Sequence, residues 1–297
     1  MTFKNLGLIF GPDHTFEWQK SHAMLPTPYK LEKNLFRIFY GSRNSENQSH
    51  IDFFDFNTKT LDVCNSIHPH PVLKPGRLGS FDDNGVLPSC VLEVDNEIFM
   101  YYIGFKPGGT TRMDLFGGLA ISSDYGLSFS RWSESPIIER SRINPFINTA
   151  PWVIKIKSIF VMYYVAGVEW VNPNLPRYNI QIATSDDGKT WERNGVVAID
   201  FEGNENALAR PFVFFSKNKY IMWFSAKGEN YSPCIAESHD GFNWSRISAP
   251  NIEVISGLND EMTCYPVCIQ DENKIFVLFN GNNYGERGVI LALNDSV

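Results

Sequence analysis

The chain repeats itself with a period near 60 residues, and a repeat of that length leaves few folds open. Gly126-Leu127-Ser128-Phe129, Gly188-Lys189-Thr190-Trp191 and Gly241-Phe242-Asn243-Trp244 each place an aromatic residue three positions after a glycine, and the glycines stand 62 and 53 residues apart. Each follows a short apolar segment: Leu119-Ala120-Ile121, Gln181-Ile182-Ala183 and Cys234-Ile235-Ala236. A polar turn whose glycine accepts a positive φ joins two strands, so each reads as a hairpin. A second series runs through Pro28, Pro88, Pro151, Pro211 and Pro266, which are 60, 63, 60 and 55 residues apart and open apolar segments. An aromatic-rich strand follows each: Phe36 to Tyr40, Ile98 to Ile103, Ile159 to Val165, Tyr220 to Phe224 and Ile275 to Phe279.

The unit is therefore strand, strand, strand, Gly-aromatic turn, strand, written five times. The last copy stops early, because Ile290-Leu291-Ala292-Leu293-Asn294-Asp295 matches the third strand. Leu6-Gly7-Leu8-Ile9-Phe10 resembles the outer segments Ser135-Pro136-Ile137-Ile138 and Gly195-Val196-Val197-Ala198, so the N-terminus is expected to supply the missing strand. This predicts an all-β chain, a five-bladed β-propeller with four-stranded blades whose N-terminal strand closes the last blade, in one domain over residues 1–297. A β-sandwich has the strand content but no reason for the period. The 23 Phe, 12 Tyr and 7 Trp suit strands better than helices.

Charge narrows the partners. With 26 Lys plus Arg against 33 Asp plus Glu the net charge is −7, and no basic stretch is denser than Lys155-Ile156-Lys157 or Arg140-Ser141-Arg142. A nucleic-acid partner is not expected, since phosphate tracking needs clustered cations. Ile159 to Val168, the longest apolar run, is about half the ~20 residues of a membrane span. The five cysteines lack CxxC spacing and Met1 to Phe10 lacks the pattern of a secretory signal, which together give the expectation of a cytoplasmic location. His68-Pro69-His70 has no neighbouring ligand series and reads as loop histidines, so neither a metal nor a cofactor is expected.

In a propeller the chain enters each innermost strand at the mouth of the channel. Six positions before the five prolines stand His22, Asp82, Pro145, Glu205 and Asp260, and five before them Ala23, Asp83, Phe146, Asn206 and Glu261. Carboxylates at equivalent positions around one axis suit acid/base work on a glycosidic bond, where crowding and burial separate the pKa values of acid and base. Asp82, Asp83, Glu205 and Glu261 are the catalytic candidates. For substrate binding the candidates are His22, Arg43, Trp170, Arg177, Tyr178, Arg210, Asp260, Tyr265, Asn282 and Tyr284, which could supply aromatic faces, amides and charges to a sugar. The Gly-aromatic turns resemble the Asp-box turns of sialidase-type propellers, which makes Asp124, Asp186 and Asp240 structural.

Phe39-Tyr40-Gly41-Ser42-Arg43, Gly79-Ser80-Phe81-Asp82-Asp83-Asn84-Gly85-Val86-Leu87-Pro88-Ser89, Ala209-Arg210-Pro211, Glu261-Met262-Thr263-Cys264-Tyr265-Pro266 and Asn280-Gly281-Asn282-Asn283-Tyr284-Gly285 carry a family likeness. Through them nearly the whole chain resembles the five-bladed propeller glycoside hydrolases: the arabinanase and β-xylosidase family, the fructosidases and the mannoside phosphorylases. In detail it is most similar to bacterial glycosidase-like propellers of surface-polysaccharide gene clusters. In arabinanase-type enzymes an Asp base, a pKa-tuning Asp and a Glu acid come from the first three blades. Here the first blade offers His22, the second Asp82 and Asp83, the third no acid, and acids return at Glu205 and Glu261. The resemblance implies a glycoside hydrolase or glycosyl-transferring enzyme acting on a glycan or nucleotide-sugar. It pairs Asp82 or Asp83 with Glu261 or Glu205, and has Arg210 hold an anionic group. A non-catalytic carbohydrate-binding propeller, and a transferase or lyase acting on a nucleotide- or lipid-linked sugar, are the alternatives.

Overall fold

A strand with one wet face alternates apolar and polar residues. Ile98–Ile103 and Phe160–Val165 are instead buried at every position, which requires cover on both faces. The computed structural model, which describes residues 1–66, 68–271 and 274–294, supplies that cover by stacking sheet against sheet.

After β1 (Thr2–Phe10), the first antiparallel group is β2 (Ser21–Glu32), β3 (Leu35–Arg43), β4 (Ser49–Asn57) and the short β5 (Val63–Cys64). The second is β6 (Gly85–Val94), β7 (Glu97–Pro107), β8 (Met113–Ser122) and β9 (Ser130–Arg131). The third is β10 (Asn148–Ile156), β11 (Ile159–Asn172), β12 (Leu175–Ser185) and β13 (Glu192–Ile199). The fourth is β14 (Ala207–Ser216), β15 (Lys219–Lys227), β16 (Tyr231–Ser238) and β17 (Ser245–Ile247). After β18 (Asn251–Ile252) come β19 (Cys264–Asp271), β20 (Lys274–Asn280), a helical turn α1 (Asn282–Gly285) and β21 (Val289–Asn294).

β1 pairs antiparallel with β21, Lys4 opposite Leu293 and Leu8 opposite Ile290, so the N-terminal strand completes the last group as the repeat predicts; Asp295 lies outside the described residues. The first strands of the groups, β2, β6, β10, β14 and β19, touch in that order, and β19 returns to β2. The fold is a β-propeller.

Neighbouring groups are latched by the Gly-aromatic turns. Tyr101 donates its hydroxyl to the Gly188 carbonyl at 2.9 Å and meets Trp191 edge-on, and Tyr163 does the same to Gly241 at 2.7 Å and Trp244. Phe39 takes this place in the first group, meeting Phe129 without a hydroxyl. Where the last group has no such turn, Phe3 of β1 packs edge-on against Trp223 instead. Gly241 has φ +81°, the left-handed region in which glycine carries no Cβ penalty. In the turn of the third group the organising carboxylate is Asp187, not the expected Asp186. Asp187 accepts from Ser185 Oγ and from the Lys189 and Thr190 amides, as Asp240 accepts from Ser238, Phe242 and Asn243.

The proline series needs a change of phase. Leu25-Pro26, Ala150-Pro151, Arg210-Pro211 and Tyr265-Pro266 interrupt the ladders of β2, β10, β14 and β19, and their first residues have φ between +48° and +56°. Proline has no N–H to lose at a bulge, so the ladder tolerates it there. The repeat-equivalent proline of the first group is thus Pro26, not Pro28, and in the second group Ser89 holds the place, since the shift falls between Pro88 and Cys90. Counted in this phase, the positions six residues ahead are Lys20, Asp83, Pro145, Glu205 and Asp260; His22 and Asp82 leave the series.

Candidate functional site

The four bulge residues with left-handed backbones converge. Leu25, Ala150, Arg210 and Tyr265 come from four different groups and line one axial cavity of about 120 Å³, with Tyr178 and Tyr231 on its wall. The remaining lining is mainly aliphatic and contains no carboxylate. Tyr178 and Tyr231 share a hydrogen bond of 2.5 Å between hydroxyls, and Tyr231 packs against both Tyr265 and Tyr284. Burial pushes the phenols of Tyr178, Tyr231 and Tyr265 up, so they are neutral donors. Tyr284 is held over this rim by two consecutive left-handed residues, Asn283 at φ +53° and itself at φ +59°, a strained arrangement in a short turn.

Arg210, 1% exposed, crosses the axis. It donates to the carbonyls of Pro88 at 3.0 Å and Pro26 at 2.9 Å and to Thr27 Oγ1 at 2.9 Å, which ties the fourth group to the first and second. The sequence reading gave this guanidinium to a ligand; the structure gives most of it to backbone carbonyls, because the bulge aims it inward rather than toward the rim. Burial pulls its pKa down to about 9, and Nε has no partner among the described residues. Thr149 Oγ1, also on the cavity wall, is likewise unpartnered.

Two of the four acid candidates are clamped by arginines. Asp82, 0% exposed, accepts from Arg131 Nε at 2.7 Å and from the Tyr102 hydroxyl at 3.0 Å through Oδ2, and from Ser80 Oγ at 2.8 Å through Oδ1. Glu205 takes two bonds of 2.8 Å from Arg246. Arg131, Arg193 and Arg246 are repeat-equivalent, opposite Ala120, Ala183 and Ala236, and each also holds a backbone carbonyl of the preceding loop: Lys74, Glu139 and Asp200. Sequence reasoning missed these arginines, although the signal is there: each stands two residues after the turn aromatic, in Phe129-Ser130-Arg131, Trp191-Glu192-Arg193 and Trp244-Ser245-Arg246. Asp82 also shares its place with uncharged residues, since Gln19 bonds the Tyr40 hydroxyl and Asn144 the Tyr164 hydroxyl as Asp82 bonds that of Tyr102.

The other two acids are freer. Asp83 precedes β6, accepts from the Gly79 amide at 2.8 Å and lies 3.7 Å from Lys106 Nζ. Glu261 is exposed before β19, its amide donating to Asn282 Oδ1 at 3.0 Å. Asn282 braces this loop by also accepting from the Met262 amide and donating to Asp260, whose carboxyl is lowered by that bond and by the Gly257 amide. His22 sits half-buried with Nδ1 2.8 Å from Ser21 Oγ; burial first and Arg43 second pull its pKa down to about 4. Trp170 and Tyr178 pack on the aliphatic wall, whereas Arg177 is taken by Glu169 at 2.7 Å. His68 bonds the buried Asp52 at 2.9 Å, and no group of three or more His, Cys, Asp or Glu is placed to hold a metal ion among the described residues. No helix among them is long and apolar enough to cross a membrane.

No family model matches the chain. Its fold is that of solved glycoside hydrolase propellers. BT0996 in its RGII complex superposes with a TM-score of 0.77 at 19% identity, covering 98% of this protein and 91% of that one. A thermostable family-43 glycoside hydrolase does so with a TM-score of 0.70 at 16% identity, covering 92% and 89%. At this identity the likeness is one of fold. The uncharacterised protein Rv1502 of Mycobacterium tuberculosis is 32% identical over 301 residues, 99% of the length of either, and this protein belongs to its family.

Proposed function

We propose that this protein is a five-bladed, single-domain propeller that takes a sugar at the axial mouth and acts on it as a glycoside hydrolase or glycosyl-transferring enzyme. The observation that carries the reading is the convergence of four bulge residues, Tyr265 among them, with Tyr178 and Tyr231 on one cavity at the axis. Aromatic faces hold the C–H surfaces of a pyranose or furanose, and the phenols, amides and charged groups of the rim hold its hydroxyls. Because Asp82 and Glu205 are occupied by Arg131 and Arg246, the acid/base pair is assigned to the rim carboxylates Asp83 and Glu261. Asp83 stands beside Lys106 Nζ and the Gly79 amide, and Glu261 stands exposed in the loop before β19.

A second reading, a propeller that binds carbohydrate without altering it, is favoured by the same occupied acids and by a cavity wall without a carboxylate. Ligand-induced thermal stabilisation of wild type, Asp83→Asn and Glu261→Gln separates the two readings. The panel holds nucleotide sugars, sugar phosphates and neutral oligosaccharides, and mass spectrometry follows each hit. A compound that wild type consumes and the variants bind intact makes this an enzyme. A compound that all three bind and none alters makes it a binding protein.

A further inference from the structure

The axial cavity has two kinds of wall. Its phenols gather, since Tyr178 bonds Tyr231 and Tyr231 packs against Tyr265. Its aliphatic residues gather as well: Leu87, Ile103 and Leu115, from β6, β7 and β8, belong with Leu25, Ile147 and Val165 to one packed apolar cluster. Leu87, Leu115, Tyr178 and Tyr265 are partly exposed and stand at the opening, whereas Ile103, Ile147 and Val165 are buried. Besides the phenols the polar residues of the lining are Thr149 and Arg210. Thr149 Oγ1 and Arg210 Nε are themselves buried, out of reach of anything in the cavity, and the rest of the guanidinium bonds Pro88, Pro26 and Thr27. The aliphatic side therefore offers a ligand no side-chain hydrogen-bond partner. The cavity is also small. An apolar cavity of about 150 Å³ stays dry and takes a ring the size of benzene. At about 120 Å³ this one takes a single ring or less, so the groups on one sugar residue decide what enters.

We propose that the sugar taken at the mouth carries a terminal methyl group, as a 6-deoxy, an O-methyl or an N-acetyl sugar does, and that this methyl enters against Ile103, Leu115 and Val165 while ring hydroxyls face the phenols. A hydroxyl placed on the aliphatic side gives up water and finds no replacement partner, which is costly, whereas a methyl gains by leaving water. The two walls thus select a sugar with one apolar and one polar edge over a sugar hydroxylated all round. The inference rests on the reading of the axial mouth as a sugar site.

The test measures, by calorimetry, pairs of sugars that differ at the methyl: L-fucose against L-galactose, L-rhamnose against L-mannose, 3-O-methylglucose against glucose, and N-acetylglucosamine against N-glycolylglucosamine. The expected result is that in one class of pair the methyl member binds about 10- to 100-fold tighter than its hydroxylated counterpart. The pair that shows it tells a deoxy from an O-methyl or an acetyl source. Val165→Thr keeps the side-chain shape and puts a hydroxyl into the wall. Leu115→Thr does so at a partly exposed position and spares the buried interior. Each is expected to narrow the preference by about 3-fold or more. Hydroxylated sugars that bind as well as their methyl counterparts, or a preference that both variants keep in full, overturn the inference and leave the sugar site standing. Binding by no member of any pair overturns the sugar reading and the inference with it.

Discussion

Asp82→Asn separates a clamped structural acid from a reacting one. The carboxylate is fully buried and receives three bonds, from Ser80, Tyr102 and Arg131. An asparagine can keep its carbonyl toward Tyr102 and Arg131 and turn its amide to Ser80, whose hydroxyl can rotate to accept. What it cannot keep is the charge facing Arg131, whose side chain is 19% exposed and also bonds the Lys74 carbonyl. Breaking a fully buried pair costs about 3–5 kcal/mol; with Arg131 partly solvated, about 2–3 kcal/mol is expected. In urea, with m near 3 kcal/mol/M for a chain of this length, the midpoint falls by about 0.7–1 M. Replacing the arginine as well, in Asp82→Asn/Arg131→Gln, recovers part of the loss, because it recreates the uncharged arrangement that Gln19 and Tyr40 form in the first group. A single variant whose midpoint stays within about 0.2 M of wild type refutes the clamp argument and returns Asp82 to the catalytic candidates.

Tyr163→Phe leaves the buried Gly241 carbonyl without its 2.7 Å donor and is expected to cost about 1–2 kcal/mol in urea unfolding, with Tyr101→Phe alike; a loss below about 0.3 kcal/mol in both would show that the ring contacts alone hold the latch, as at Phe39. His22 has a folded pKa near 4, below the ordinary 6.5, so the unfolded chain takes the proton first: stability is whole above the unfolded value and is lost as pH falls toward 4. Allowing for its solvent contact the loss is about 1–2 kcal/mol, and His22→Asn, measured against wild type at pH 7 and pH 4.5, should flatten that dependence; an equal acid loss in the variant assigns it to other groups.

The repeat was legible because glycine and proline punctuate it, and both are forced by backbone geometry: glycine by the positive φ of the turns, proline by the bulges that need no N–H. Its phase was not legible. Leu25-Pro26-Thr27-Pro28 offers two prolines, and only the ladder, with Thr27 opposite Phe39, shows which one stands at the bulge. Asp187 was missed for Asp186 by one residue, a difference set by which carboxylate reaches the Lys189 and Thr190 amides. The site was legible as residue types gathered at one end of the repeat, but not as contacts. Arg210 reaches Pro88 and Pro26 over separations of 122 and 184 residues, and no local pattern encodes where a side chain lands across a ring.

The structure sorts the acids by what surrounds them. A carboxylate that serves the scaffold meets a repeat-equivalent arginine, as Asp82 and Glu205 do, and its charge is spent on holding a loop to an outer strand. The axial cavity has the opposite character: an apolar wall, neutral phenols and a floor arginine facing backbone carbonyls. No group on that wall can give or take a proton at neutral pH, since burial raises its phenols and Arg210 keeps its proton. On the proposed function, proton transfer is assigned to the loops that lead into β6 and β19, where Asp83 and Glu261 stand. We propose that the cavity takes the ring that does not react and that the bond that reacts lies above it, at the rim. On this division of labour Asp83→Asn and Glu261→Gln lower turnover with little change in sugar affinity, whereas changes at Tyr231 or Tyr265 lower the affinity first.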